Sequence, residues 1–256
     1  MRPLLRQLML MIVFLPVAAA ATDAHAACQR ERFPVAIDIG HTEEAPGAIS
    51  ARGIPEFAFN MALGRDVERA LRAAGFPARR IIVSGRGREQ LSRRIAAAKE
   101  LAPAVLISVH HDSVQEHYLE DWQFAGKSRR YSDRFSGFSI FVSRATGDFE
   151  GSLALAKALG RALAAAGLKV SQHHAEPIPG EGRETLDAEA GVFEFRNLRV
   201  LKEADVPAIL FEAGIIVNRA DEIALASPAR RQLAARAVLE AVTAMCQRQS
   251  PEIVQR

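Results

Sequence analysis

The sequence predicts a single α/β domain built on a twisted, mostly parallel sheet with helices on both faces. Three observations carry that expectation. The short β-branched runs at 35–38, 104–109 and 206–211 are almost wholly apolar rather than alternating, as strands buried on both faces are. Between them lie stretches with apolar residues at helical spacing, and strands alternating with helices are the pattern of a covered parallel sheet. With an N-terminal leader set aside, about 230 residues remain, enough for one such core, and no repeat or low-complexity linker divides them.

The leader is read first because it must be removed from fold reasoning. Arg2 and Arg6 precede an apolar run at 8–21, interrupted by Pro16, and Ala24-His25-Ala26 supplies a small-x-small cleavage site. Residues 1–26 are therefore expected to be a secretory signal peptide and 27–256 the exported mature domain, with the periplasm as its expected compartment. The apolar run is shorter than the roughly 20 residues a membrane span needs, so no stable membrane insertion is expected after cleavage. Cys28 and Cys246 lie near the two mature ends, and an oxidising compartment favours a disulfide between them. Neither cysteine has a nearby Cys or His that would suggest a metal role.

In chain order, 35–38 reads as a buried strand, and Gly40 is expected to make the tight turn that holds His41 over the sheet edge. A polar loop leads to Gly53. Phe59, Leu63, Val67, Ala70, Leu71 and Ala74 then keep helical spacing from about Pro55 until Gly75 ends the helix. A strand at 80–84 and a helix at 89–101, stopped by Pro103, bring the chain to the central strand at 104–109. Its continuation is Ser108-Val109-His110-His111-Asp112. Pattern is lost until Gly137, after which come a strand at 138–143, an alanine-rich helix at 153–166 and a loop from 171 to about 191. The last strand, 206–211, closes in Glu212-Ala213-Gly214, and Pro228 opens a terminal helix to about 245.

Chemistry collects at the ends of these strands. His41, His110 or His111, and Glu212 each close a strand or its turn, and Glu56 opens a helix near the first. Two imidazoles and one carboxylate make the ligand set of a catalytic zinc site that keeps a fourth position for water. Such a site also needs a carboxylate off the metal to move protons, and Glu212 fits because a glutamate closing an apolar strand costs several kcal/mol to bury unless paired or functional. The bland alternatives are a salt bridge from Glu212 to an arginine and, for Glu56, a first-turn acid that merely complements the helix dipole. The formal net charge of +3, from 33 basic and 30 acidic residues scattered along the chain, does not indicate nucleic acid and suits an anionic polymer.

Four motifs in this order resemble the zinc-dependent N-acetylmuramoyl-L-alanine amidases of the cell-wall hydrolase type. They are Asp38-Ile39-Gly40-His41, Gly53-Ile54-Pro55-Glu56, Ser108-Val109-His110-His111-Asp112, and Pro207-Ala208-Ile209-Leu210-Phe211-Glu212-Ala213-Gly214 with Asn218. The resemblance spans nearly the whole mature chain. It implies a sheet of about six strands, zinc held by His41, Glu56 and His110 rather than His111, and Glu212 as general base. It also implies hydrolysis of the amide between N-acetylmuramic acid and the L-alanine of peptidoglycan stem peptides, with an envelope activator protein as a further partner. Ser108 and Asp112 look placed to orient the His110 ring, or else to cap the turn after the strand.

Thr42-Glu43-Glu44 after His41 departs from the glycine usual in that family, which keeps Glu44 as an alternative ligand. The stretch 113–136 is long for a connection and holds the chain's single tryptophan and both tyrosines, Tyr118, Trp122 and Tyr131. It reads as a substrate platform led by Trp122 and Tyr131 or as a flap packed on the core, and the family resemblance implies a lid over the zinc as a third role. Two rival functions stand beside the amidase: another zinc-dependent cell-wall peptidase or carboxypeptidase, and a non-catalytic peptidoglycan-binding protein of the same fold.

Overall fold

The computed structural model of the protein describes residues 28–249, so the expected leader at 1–26 lies outside the described residues. From the N-terminal side, β1 (Val35–Ile39) is followed by α1 (Glu56–Ala73), β2 (Ala78–Ile81), α2 (Gly87–Leu101) and β3 (Val105–Asp112). A hairpin of β4 (Glu120–Phe124) and β5 (Lys127–Tyr131) precedes β6 (Ser139–Val142), α3 (Phe149–Ala165), β7 (Thr185–Asp187) and β8 (Val192–Glu194). The chain then forms α4 (Arg199–Lys202), β9 (Ala208–Ile215), α5 (Arg219–Ala226) and α6 (Pro228–Gln249).

Seven strands make one sheet in the order β2-β1-β3-β9-β6-β8-β7, while β4 and β5 pair only with each other. Neighbours are parallel except at β6–β9 and β7–β8. The architecture is the expected one. The seventh strand arises because 171–191, read as loop, contains β7, and β8 follows it; three-residue strands are too short to show a period. The stretch 113–136, read as unpatterned, contains the hairpin, whose two-residue turn puts Ala125 at φ 49° and Gly126 at φ 72°.

Strand alternation assigns the side chains to two cores. Odd-numbered residues such as Val35, Ile37, Ile39, Val105, Ile107, Val109, Ile209 and Phe211 enter the larger core, against Phe59, Leu63 and Val67 of α1, Leu155 and Leu159 of α3, and Val238 and Val242 of α6. The even-numbered Ala36, Leu106, Ala208 and Leu210 enter the smaller core, under α2 and α4. Helix α1 buries Glu56, Phe59, Asn60, Leu63, Gly64, Val67 and Leu71, a stripe at 3.6-residue spacing whose N-terminal end is polar. That end is the one that meets the functional edge of the sheet.

A disulfide joins Cys28 to Cys246, closing a sequence separation of 218 residues. In the chain-entropy picture a loop of this size contributes about 5 kcal/mol. Replacing both cysteines by serine should lower the melting temperature on the order of 10 °C. A calorimetric scan in which the double variant melts with the parent would show that the bond stabilises nothing.

Candidate metal centre

On the face of the smaller core, polar residues replace apolar ones toward the carboxyl ends of the central strands. Asp38 pairs with Ser108 between β1 and β3, and His110 pairs with Glu212 between β3 and β9. Ligand sites of open α/β sheets lie at this edge. An apolar cavity of about 390 Å³, walled by Ile95, Leu106, Val200 and Val206, lies instead where β3 and β9 begin and brings no imidazole together with a carboxylate.

Glu56, the first residue of α1, is only 4 % exposed and bridges two imidazoles. Its Oε2 lies 2.9 Å from His41 Nε2 and its Oε1 lies 3.1 Å from His110 Nδ1, with the two rings 5.0 Å apart and nearly perpendicular. One donor atom from each of the three residues falls within 4.8 Å of the other two. Burial alone would push the Glu56 carboxyl up, but its contacts with His110 and His41 outweigh this and hold it well below the usual carboxylate range. The backbone N–H groups of Ala48 and His111 and the Asn60 amide also donate to it.

The turn that delivers His41 differs from expectation. Gly40 was expected to supply the turn's conformational freedom, yet the left-handed residue is His41 itself, at φ 66°. What Gly40 supplies is space, since a Cβ there would lie 2.4 Å from Cε1 and Nε2 of His110. The strained carbonyl of His41 is held by the guanidinium of Arg94, which also bonds the Ile39 carbonyl and pairs with Asp38 at 2.6 Å. Ser108 Oγ donates to the other Asp38 oxygen at 2.6 Å. Ser108 thus supports the loop of His41, whereas it was expected beside the His110 ring.

Strand alternation separates the two adjacent histidines. His110 faces the edge, and His111 turns to the larger core, where its Nδ1 lies 2.7 Å from Asn60 Oδ1 and its ring packs on Phe59. Burial lowers the His111 imidazole to about 3, so it stays neutral. Glu44 is exposed and accepts the Gly85 N–H rather than approaching His41. Asp112 does not serve the His110 ring either. Its Oδ1 accepts the N–H of Ser113, as a turn cap would, and its Oδ2 lies against His173 and His174.

Glu212 points into the same edge, with Oε2 buried and without a hydrogen-bond partner. No ion pair of Glu212 occurs among the described residues, so the arginine alternative has no support. Burial first, and then the charges of Asp112 and Glu56, push its carboxyl well above the ordinary value. Two imidazoles and a carboxylate converging beside a buried, unpartnered acid are a donor set that fits zinc.

The hairpin borders this edge through the loop before α1. Trp122 Nε1 donates to the Ala51 carbonyl at 2.9 Å, Arg52 lies 5.5 Å over the Trp122 ring, and Arg219 lies 3.8 Å over Tyr131. Both aromatics stay partly exposed. Sequence reasoning missed Asn60, Arg94, His173 and His174. Asn60 and Arg94 sit one turn or more inside helices and gave no signal, while the adjacent His173-His174 pair was visible but fell in a stretch read only as loop.

Residues 35–244 match the N-acetylmuramoyl-L-alanine amidase family. No curated protein matches the chain in sequence. Among solved structures, the N-acetylmuramyl-L-alanine amidase Ami1 from Mycobacterium smegmatis is similar at 21% identity and TM-score 0.65, covering 85% of this chain and 98% of its own. The catalytic domain of the amidase CwlV from Bacillus (Paenibacillus) polymyxa var. colistinus is similar at 22% identity and TM-score 0.59, covering 83% and 97%. The CwlD amidase from Clostridioides difficile, in complex with the GerS lipoprotein, is similar at 15% identity and TM-score 0.60, covering 83% and 98%. At such identities the likeness concerns the fold.

Proposed function

The chain belongs to the N-acetylmuramoyl-L-alanine amidase family, and from that premise we propose that it works as a zinc enzyme, with His41, Glu56 and His110 holding the metal and Glu212 as general base. It is a peptidoglycan amidase, hydrolysing the bond between N-acetylmuramic acid and L-alanine. The observation that carries the zinc reading is the bridging of His41 and His110 by the buried carboxylate of Glu56. A zinc ion bound there would supply Lewis acidity toward the scissile carbonyl and lower the pKa of a coordinated water to about 7.

The chain's own groups account for the rest. Arg94, Asp38 and Ser108 fix the backbone of His41, and Asn60 holds Glu56 in place. Glu212, with its raised carboxyl, takes the proton of the attacking water at Oε2 and returns it to the amide nitrogen as the C–N bond breaks. The products are a lactyl carboxylate and a free L-alanine amine.

Residues 1–26 act in this reading as a signal peptide that exports the domain at 27–256 to the periplasm. Among the described residues no helix is long and apolar enough to cross a membrane. The lipoprotein complex of the Clostridioides difficile amidase motivates an envelope activator as partner here.

Trp122 and Tyr131 are assigned to glycan contact, since aromatic faces beside cationic groups suit sugar rings and carboxylates. Because they also anchor the hairpin, changing both to Ala should weaken binding to purified peptidoglycan and lower the melting temperature by a few degrees, with zinc retained. Unchanged pull-down on peptidoglycan would remove them from the substrate site.

Digestion of purified peptidoglycan followed by mass spectrometry tests the reaction. New L-alanine amino termini on intact stem peptides, lost when a chelator is added, are the expected result. Cleavage within the stem peptide alone would assign a peptidase instead.

A further inference from the structure

We infer that Asp112, His173 and His174 form a second, buried site for a divalent transition-metal cation of the zinc type, separate in its ligands from the one beside Glu56. His173 is 2 % exposed and His174 7 % exposed, and each aims Nε2 at the same oxygen, Asp112 Oδ2, at 3.3 and 2.8 Å. The three donor atoms lie within 4.8 Å of one another. His173 Nε2 is buried, and its 3.3 Å contact with Asp112 Oδ2 is not aligned as a hydrogen bond.

The other ring nitrogens are already engaged. His173 Nδ1 lies 2.8 Å from Ser171 Oγ and His174 Nδ1 lies 2.9 Å from Glu181 Oε2, whose Oε1 accepts from Gln115. A metal-binding histidine is held in this way, its far nitrogen bonded to a hydroxyl or carboxylate so that the near lone pair faces the metal. In the tautomers that place Nδ1–H toward those partners, two nitrogen lone pairs and a carboxylate oxygen face one another, an arrangement that positive charge between them completes.

A proton can supply part of that charge. One proton on His174 satisfies the Asp112 oxygen and still leaves His173 Nε2 without an aligned hydrogen bond, whereas a cation engages all three donors and displaces the proton. Two imidazoles and one carboxylate select zinc and similar borderline metals over magnesium or calcium, which take oxygen ligands. Such an ion would tie the turn at 173–175 to the end of β3.

The test measures metal in the mature protein, stripped and then dialysed against a small excess of zinc. The parent should bind two zinc ions per chain and His173→Gln one, while Glu181→Ala should bind the second about 10- to 100-fold more weakly. His41→Ala, which leaves this cluster intact, should still take up one Co²⁺ with visible absorption bands, and this reading serves if His173→Gln fails to fold. One zinc in the parent, equal zinc in His173→Gln and parent, or no Co²⁺ in His41→Ala would overturn the second site. Parental zinc in His41→Ala would instead overturn the first site and leave the second standing.

Discussion

Glu212→Gln should retain fold and metal and lose about 10²-fold or more of its amidase turnover, because glutamine matches the carboxylate in shape and cannot accept a proton. Glu212 sits in β9 directly opposite His110, so its backbone is fixed by the ladder. Its Oε2 is buried and unpartnered, and its carboxyl is raised by burial and by Asp112 and Glu56. An acid whose folded pKa is raised stabilises the fold at low pH, and that contribution is lost as pH rises above the unfolded value near 4.5. Glutamine removes that burden, so the variant should melt at or above the parent temperature near neutral pH. Rates on purified peptidoglycan, measured beside metal content, check this; parental turnover in Glu212→Gln would remove Glu212 from proton transfer.

Arg94→Met should destabilise the protein by about 3–5 kcal/mol, because it leaves Asp38 as a buried charge without its partner. Arg94 is 2 % and Asp38 1 % exposed. The guanidinium also ties the carbonyls of Ile39 and His41, so its loss should free the left-handed turn at His41 and weaken metal binding. Adding Asp38→Asn should recover part of the stability, since no charge is then stranded, but should not recover metal affinity. Thermal melts and zinc titrations of the two variants separate these effects. If Arg94→Met melts with the parent, the buried pair does not hold the edge together.

Much of this was legible in the sequence because the strong signals were local. Apolar runs and helical spacing located β1, α1, β3 and β9, and polar residues at their ends pointed to His41, the His110-His111 pair and Glu212, while Glu56 stood out as a ligand only through family resemblance. The choice between His110 and His111 came from family resemblance, although strand alternation carries the same information once β3 is known to extend to Asp112. What stayed hidden depended on long-range pairing. Arg94 meets Asp38 across 56 positions, and His174 meets Asp112 across 62, so neither partnership leaves a periodic trace. Gly40 and His41 exchanged roles for a similar reason: the ring of His110, from another strand, determines which of them must lack a side chain.

Elemental analysis of purified parent, His110→Ala and His111→Ala tests most directly whether His41, Glu56 and His110 hold a zinc ion. Zinc per chain should fall by one in His110→Ala and stay at the parental value in His111→Ala, whose ring lies in the larger core. Parental zinc in His110→Ala, with loss in His111→Ala, would contradict the account.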